Sequence, residues 1–161
     1  MVAIAGYKKE TILRAVQDMY TQVATHPEQV THCLLGRPAA RLAGYADAQL
    51  DDLPESAIES FAGVANPFFA NAIRAGDTVL DIGAGSGTDV LIAARLTGPK
   101  GKVYALDMTE AMREKLRANL KKTDIHNVDI LAGEMEAIPL PAESVDVVTS
   151  NGVLNMAPDK G

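Results

Sequence analysis

The stretch Thr78-Val79-Leu80-Asp81-Ile82-Gly83-Ala84-Gly85-Ser86-Gly87-Thr88-Asp89 decides the fold. An apolar run ends in an acid, three glycines follow at alternate positions, and a helical pattern starts at once. A second apolar run, Lys102-Val103-Tyr104-Ala105-Leu106, closes on Asp107, 20 residues after Gly87. Strand, glycine loop, helix, strand and acid in this order build a nucleotide-like cofactor site. Glycines let the backbone turn sharply and let a ligand approach it closely. The start of the following helix offers free N–H groups. An acid at the end of the next strand can accept the hydroxyls of a ribose.

The spacing bears on which nucleotide. A dinucleotide fingerprint is G-x-G-x-x-G, with its third glycine at the helix–sheet contact. Here Thr88 stands where that glycine would be, and Asp81 and Asp89 flank the loop with negative charge. That field disfavours a pyrophosphate and suits a ligand carrying an ammonium and a sulfonium. No Gly-Lys-Ser/Thr follows, so a phosphate-gripping loop is absent. The residues therefore favour S-adenosylmethionine, and an NAD-type oxidoreductase domain is the alternative.

Outward from this stretch, strands and helices alternate, which predicts a parallel sheet with crossover helices. Strands are expected at about 78–82, 103–107, 128–132 and 145–150, with helices at about 88–96 and 109–121. Before residue 66 the patterns are helical and punctuated by proline and glycine. Ile12, Val16, Met19, Tyr20 and Val23 recur at threes and fours, as on one apolar face of a helix. His26-Pro27 ends that helix. Pro54-Glu55 opens another, through Ile58 and Phe61. Asn66 reads as an N-cap with Pro67 at the first helical position, for a helix reaching Gly76. The division is thus residues 1–66, helical, and 67–161, an α/β unit with a Rossmann-like parallel sheet.

Composition and charge narrow the function classes. A chain of 161 residues is long enough for one domain with a sizeable core. A net charge of −6, with acids and bases interspersed, leaves no electrostatic footprint for nucleic acid. No apolar run approaches the roughly 20 residues of a membrane span. The start, Met1 to Lys9, places its charges after its apolar part, the reverse of a secretory signal. The single cysteine, Cys33, excludes an internal disulfide and fits a reducing, cytoplasmic setting. His26, His32 and His126 show no metal spacing, and His32 and Cys33, being adjacent, would point apart on a helix. No metal is expected, and no residue stands out as a catalytic base.

The glycine loop, Leu106-Asp107-Met108-Thr109, the run Gly133-Glu134-Met135-Glu136-Ala137-Ile138-Pro139-Leu140-Pro141 and the run Ser144-Val145-Asp146-Val147-Val148-Thr149-Ser150-Asn151 together resemble a class I S-adenosylmethionine-dependent methyltransferase. The ending Ser150-Asn151-Gly152-Val153-Leu154-Asn155-Met156-Ala157-Pro158-Asp159-Lys160 is similar to arsenite methyltransferases and their neighbours. So are Leu53-Pro54-Glu55 and Ser60 to Pro67. The resemblance covers residues 45–161. It implies strand order 3-2-1-4, an N-terminal helical lid over the cofactor, and methyl transfer to a small-molecule acceptor. It also implies a cofactor cradle of Asp81, Gly83, Ala84, Gly85 and Gly87, with Asp81 toward the methionyl amino group. Asp107 would take the ribose, and Met108 would pack on the adenine. Glu134, Met135 and Glu136 would lie at the adenine edge, Met135 acting through its backbone. Asn151 and Val153 would lie below the methionyl end, near the acceptor.

Two departures qualify these implications. Arsenite methyltransferases hold trivalent arsenic through cysteine thiolates, and this chain has Val64 and Gly152 where two of them would fall. The family's sheet normally has seven strands, whereas this chain stops just after the fourth. It therefore reads as an N-terminal piece of a longer enzyme, either active or a cofactor-binding module without activity of its own. Its fourth strand would be an apolar edge open to pairing between chains.

Overall fold

The computed structural model describes residues 8–31 and 33–157. The reading of the first seven residues, of His32, and of Pro158-Asp159-Lys160 lies outside them. Four strands form one parallel sheet: β1 (Thr78–Ile82), β2 (Lys102–Asp107), β3 (Val128–Ala132) and β4 (Val147–Ser150). Their order is β3-β2-β1-β4, as expected for a Rossmann-like unit. β1 pairs with β2 (Asp81 beside Ala105) and with β4 (Ile82 beside Ser150). β2 pairs with β3, placing Asp107 beside Ala132. Parallel neighbours need crossovers. α5 (Thr88–Thr97) carries the chain from β1 to β2, and α6 (Glu110–Leu120) from β2 to β3. The β3-to-β4 connection, 133–146, contains no helix.

Among the described residues, four α-helices precede the sheet: α1 (Lys9–Thr25), α2 (Gly36–Leu42), α3 (Asp47–Leu50) and α4 (Glu55–Ile58). They explain why α5 has little polar surface. Val90, Ala93 and Ala94 pack on the sheet residues Val79, Val103 and Ala105. Leu91 and Ile92, on the other side, pack against Ala39, Tyr45, Leu50, Leu53, Ile58 and Phe61. A helix buried between two layers is apolar nearly all round. α1 joins through Val23 and Ala24, which meet Met112 of α6. The opposite sheet face, Leu80, Ile82 and Leu106, is covered by Met135, Leu140, Val145 and Val153 from irregular segments.

Some expected boundaries shift. Asn66 does cap, its Oδ1 accepting the Phe68 N–H at 3.0 Å. The helix it starts is only a 3₁₀ turn, Pro67–Ala70, and does not reach Gly76. Asn71 enters the left-handed region (φ 51°) and its N–H closes on Phe68 O, a conformation asparagine tolerates better than most residues. The Pro54-Glu55 helix is a single turn ending at Ile58, so Phe61 lies beyond it. β4 begins at Val147, two residues later than expected, and Val148 on it is 55% exposed.

Candidate active site

A cleft opens at the carboxyl ends of β1 and β2, where ligands of open α/β sheets bind. The glycine loop forms its floor. Gly83, Gly85 and Gly87 all have positive φ (77°, 54° and 104°). The N–H groups of Gly83 and Ala84 both donate to Leu106 O, at 2.8 and 2.9 Å. From outside, Ser86 and Thr88 donate their hydroxyls to Ala57 O of α4, at 2.6 and 2.8 Å. The three glycines face different neighbours. A Cβ on Gly87 would lie 2.3 Å from Leu116 Cδ1 of α6, and one on Gly83 would lie 2.2 Å from Val153 Cγ2. One on Gly85 would meet only Gly83 O, at 4.0 Å. Backbone is thus bared to the cleft at Gly85, whereas Gly87 and Gly83 admit packing side chains.

Asp107 closes the loop's far side. Its Oδ2 accepts from Gly85 N–H and its Oδ1 from Thr109 N–H, each at 2.8 Å. Arg113 holds the backbone carbonyl of Asp107 at 2.7 Å and pairs with Glu110. Burial raises the Asp107 carboxyl's affinity for its proton, and the two backbone donors oppose that rise. Asp81 differs. Its donor is the Thr149 hydroxyl at 2.7 Å, and burial, then the neighbouring Asp89, push its pKa up to about 8. Asp89 is also raised by burial, against donors Tyr45 (2.5 Å) and Asn151 (3.0 Å). Among the described residues, Asp81, Asp89, Asp107 and Glu134 line the cleft, and no lysine or arginine does.

The cleft brings together Asp81, Gly83, Ala84, Gly85, Gly87, Asp107, Met108, Glu134, Met135, Asn151 and Val153. Glu136 is not in its wall; its carboxylate, with that of Glu134, faces Lys9 Nζ at 3.8 and 3.4 Å. Asn151 lines the cleft, but its amide is bonded to protein groups on every side. Asp89 enters the site although its sequence position marked it only as a charge flanking the loop. Val16 and Tyr20 also line it, and the Tyr20 hydroxyl reaches Met156 Sδ at 3.6 Å across the opening. Their spacing of four on the apolar stripe of α1 was the available signal. Val64 and Gly152 are neighbours: a Cβ on Gly152 would lie 3.8 Å from Val64 Cγ1.

Residues 73–161 match the family described as a methyltransferase domain. The chain belongs to that family. It is 46% identical over 98 residues to an arsenite methyltransferase of Halobacterium salinarum, covering 61% of this chain and 25% of that one. It is 34% identical over 87 residues to a demethylmenaquinone methyltransferase of Listeria welshimeri, covering 54% of this chain and 37% of that one. The chain therefore spans well under half the length of these relatives. The crystal structure of an arsenic(III) S-adenosylmethionine methyltransferase from Chlamydomonas reinhardtii superposes with a TM-score of 0.64 and 37% identity, over 71% of this chain and 40% of that one.

Proposed function

We propose that this chain is the cofactor-binding part of a methyltransferase acting on a small-molecule acceptor. The cofactor is S-adenosylmethionine. The observation that carries the reading is a glycine backbone bared at Gly85 among Asp81, Asp89 and Asp107, with no lysine or arginine among the described residues of the cleft wall. That environment fits a cationic nucleoside and opposes a pyrophosphate. Asp107 would take the ribose hydroxyls, since each carboxylate oxygen keeps a lone pair beyond its backbone bond. Asp81 would face the ammonium, which favours the ionised form of a buried acid. The backbone of Ala84 and Gly85 would lie along the ligand, with Met108 and Met135 beside the adenine and Glu134 at the rim.

When bound, S-adenosylmethionine supplies an electrophilic methyl group on its sulfonium. The chain's own part is orientation and exclusion of water. Val16, Tyr20, Met112, Phe61, Val153 and Met156 give the cleft the apolar wall that this needs. Residues 1–66 would act as a lid, through α1 and the segment after α4. The relatives named for arsenite make that acceptor the first to test. Val64 and Gly152 offer no thiolate where the resemblance places two, so we infer a different acceptor. The exposed edge of β4 would be the route to self-association. No helix among the described residues is long and apolar enough to cross a membrane, and we infer a cytoplasmic setting from the lone, exposed Cys33.

Calorimetric titration with S-adenosylmethionine, S-adenosylhomocysteine and NAD tests the cofactor. Micromolar affinity for the two adenosyl ligands and none for NAD is the expected outcome; the reverse would overturn the reading. Transfer of labelled methyl to a metabolite panel that includes arsenite then separates an active enzyme from a module that only binds.

A further inference from the structure

Asn151, just beyond β4, is hydrogen-bonded within the protein on both polar atoms of its side chain. Its Oδ1 accepts from Val64 N–H at 2.8 Å and from Ala65 N–H at 3.2 Å. Its Nδ2 has Ala65 O at 2.7 Å, Asp89 Oδ2 at 3.0 Å and the Tyr45 hydroxyl at 3.1 Å. A side-chain amide carries two N–H donors, so three acceptors compete for two hydrogens. Tyr45 donates in turn to Asp89 Oδ1 at 2.5 Å. Gly63 is fitted to the same group, since a Cβ there would lie 2.4 Å from Asn151 Nδ2. One amide thus joins the first turn of α5, the N-terminal extension and segment 62–65, whose Ala62 and Gly63 line the cleft.

We propose that Asn151 and Tyr45 form a latch through which filling of the glycine-loop cradle tightens segment 62–65, which borders the cleft through Ala62 and Gly63. Asn151 and Tyr45 are then positioning residues for the acceptor side. The inference rests on the cofactor reading given above. The physical route is short. Asp81 and Asp89 share a buried floor with no lysine or arginine among the described residues that line it, burial disfavours both charges, and Asp89 disfavours that of Asp81. A cationic group arriving beside Asp81 favours the ionised form of both carboxylates. Hydrogen bonds to an ionised acceptor are roughly twice as strong as neutral ones. Asp89 then holds Tyr45 and Asn151 more firmly. The fixed amide keeps Oδ1 on the Val64 and Ala65 N–H groups, and the segment that carries Ala62 and Gly63 along the cleft is held more tightly.

Residue-resolved amide exchange by NMR on the full chain, with and without S-adenosylmethionine, tests this. In the wild type, ligand should slow exchange at Val64 and Ala65 at least threefold, while the Lys102 amide at the far end of β2 keeps its rate. In Tyr45→Phe, the ligand should still bind and the response at Val64 and Ala65 should fall by half or more. Binding with unchanged rates at Val64 and Ala65, uniform slowing that includes Lys102, or a full response in Tyr45→Phe would each overturn the latch. The wild-type comparison decides even if Tyr45→Phe does not fold. Calorimetry on the same sample keeps the two readings apart: no binding removes the cofactor reading and the latch with it, whereas binding without the local response removes the latch alone.

Discussion

Asp81 and Asp107 lie at the carboxyl ends of adjacent parallel strands, two residues out of register, and both are buried. Their surroundings are opposite in kind. At the end of β2, two backbone N–H groups converge on Asp107 from the glycine loop and the start of α6. At the end of β1, Asp81 has a hydroxyl donor and a second acid nearby, and it is held toward its protonated form. One strand end thus carries two backbone donors that favour the anion against its burial. The other is built to receive a positive charge that the protein does not supply. The same residue type at the same fold position performs two tasks, divided by its donors.

The loop between the two acids is where the contrast breaks most completely. Gly87→Ala would force a side chain into a left-handed backbone and against Leu116, at an expected cost of about 2–4 kcal/mol of stability. Gly85→Ala meets open space and should cost about 1–2 kcal/mol from backbone strain alone, while weakening S-adenosylhomocysteine binding. Denaturant titrations of both variants would show the difference, and equal losses would contradict the packing described for Gly87. Next in size, Asp107→Ala should lower S-adenosylhomocysteine affinity at least tenfold, about 1.4 kcal/mol, with circular dichroism unchanged. Unaltered affinity in calorimetry would refute the ribose role.

A smaller effect sharpens the β1 side. The native state binds the Asp81 proton more tightly than the unfolded chain does. Between about pH 4 and the raised value of about 8, the unfolded state has given up that proton while the folded state retains it. Stability from this group therefore falls as pH rises through that window. Asp81→Asn removes the dependence, so its melting temperature should gain on the wild type from pH 5 to pH 8, at about 2–4 °C per kcal/mol for a domain of this size. Thermal melts at several pH values check this; parallel curves would show that Asp81 is ionised throughout. The smallest effect belongs to a site remote from both acids. Val148→Lys, on the exposed edge of β4, should leave stability within about 0.5 kcal/mol and reduce any self-association seen by sedimentation.

How much of this was legible in the chain varied with how local the cause is. Apolar runs bounded by turn residues placed β1 and β3 at their observed limits, because strand formation there follows from the run itself. The N-cap at Asn66 was legible for the same reason. The length of the turn it begins was not, since Asn71 ends it through a left-handed conformation that many residue sequences would allow. Asp89 illustrates the larger gap. In sequence it is an acid in the first turn of a helix, a favourable place on local grounds. Its partners are Tyr45, 44 residues earlier, and Asn151, 62 residues later.

The sequence by itself determined the strand–glycine–helix–strand–acid order, and with it the sheet, the position of the cleft and a preference for a cationic nucleoside. Those follow from chain geometry within some 30 residues. Tertiary structure alone decided which glycine is bared to the cleft and which two admit Leu116 and Val153. It also decided which acid receives two backbone donors, and that the N-terminal extension is fastened to the floor through Ala57, Tyr45 and the Asn151 amide. Each of these depends on atoms brought together from distant parts of the chain, and burial among them sets the cost of every unpaired charge.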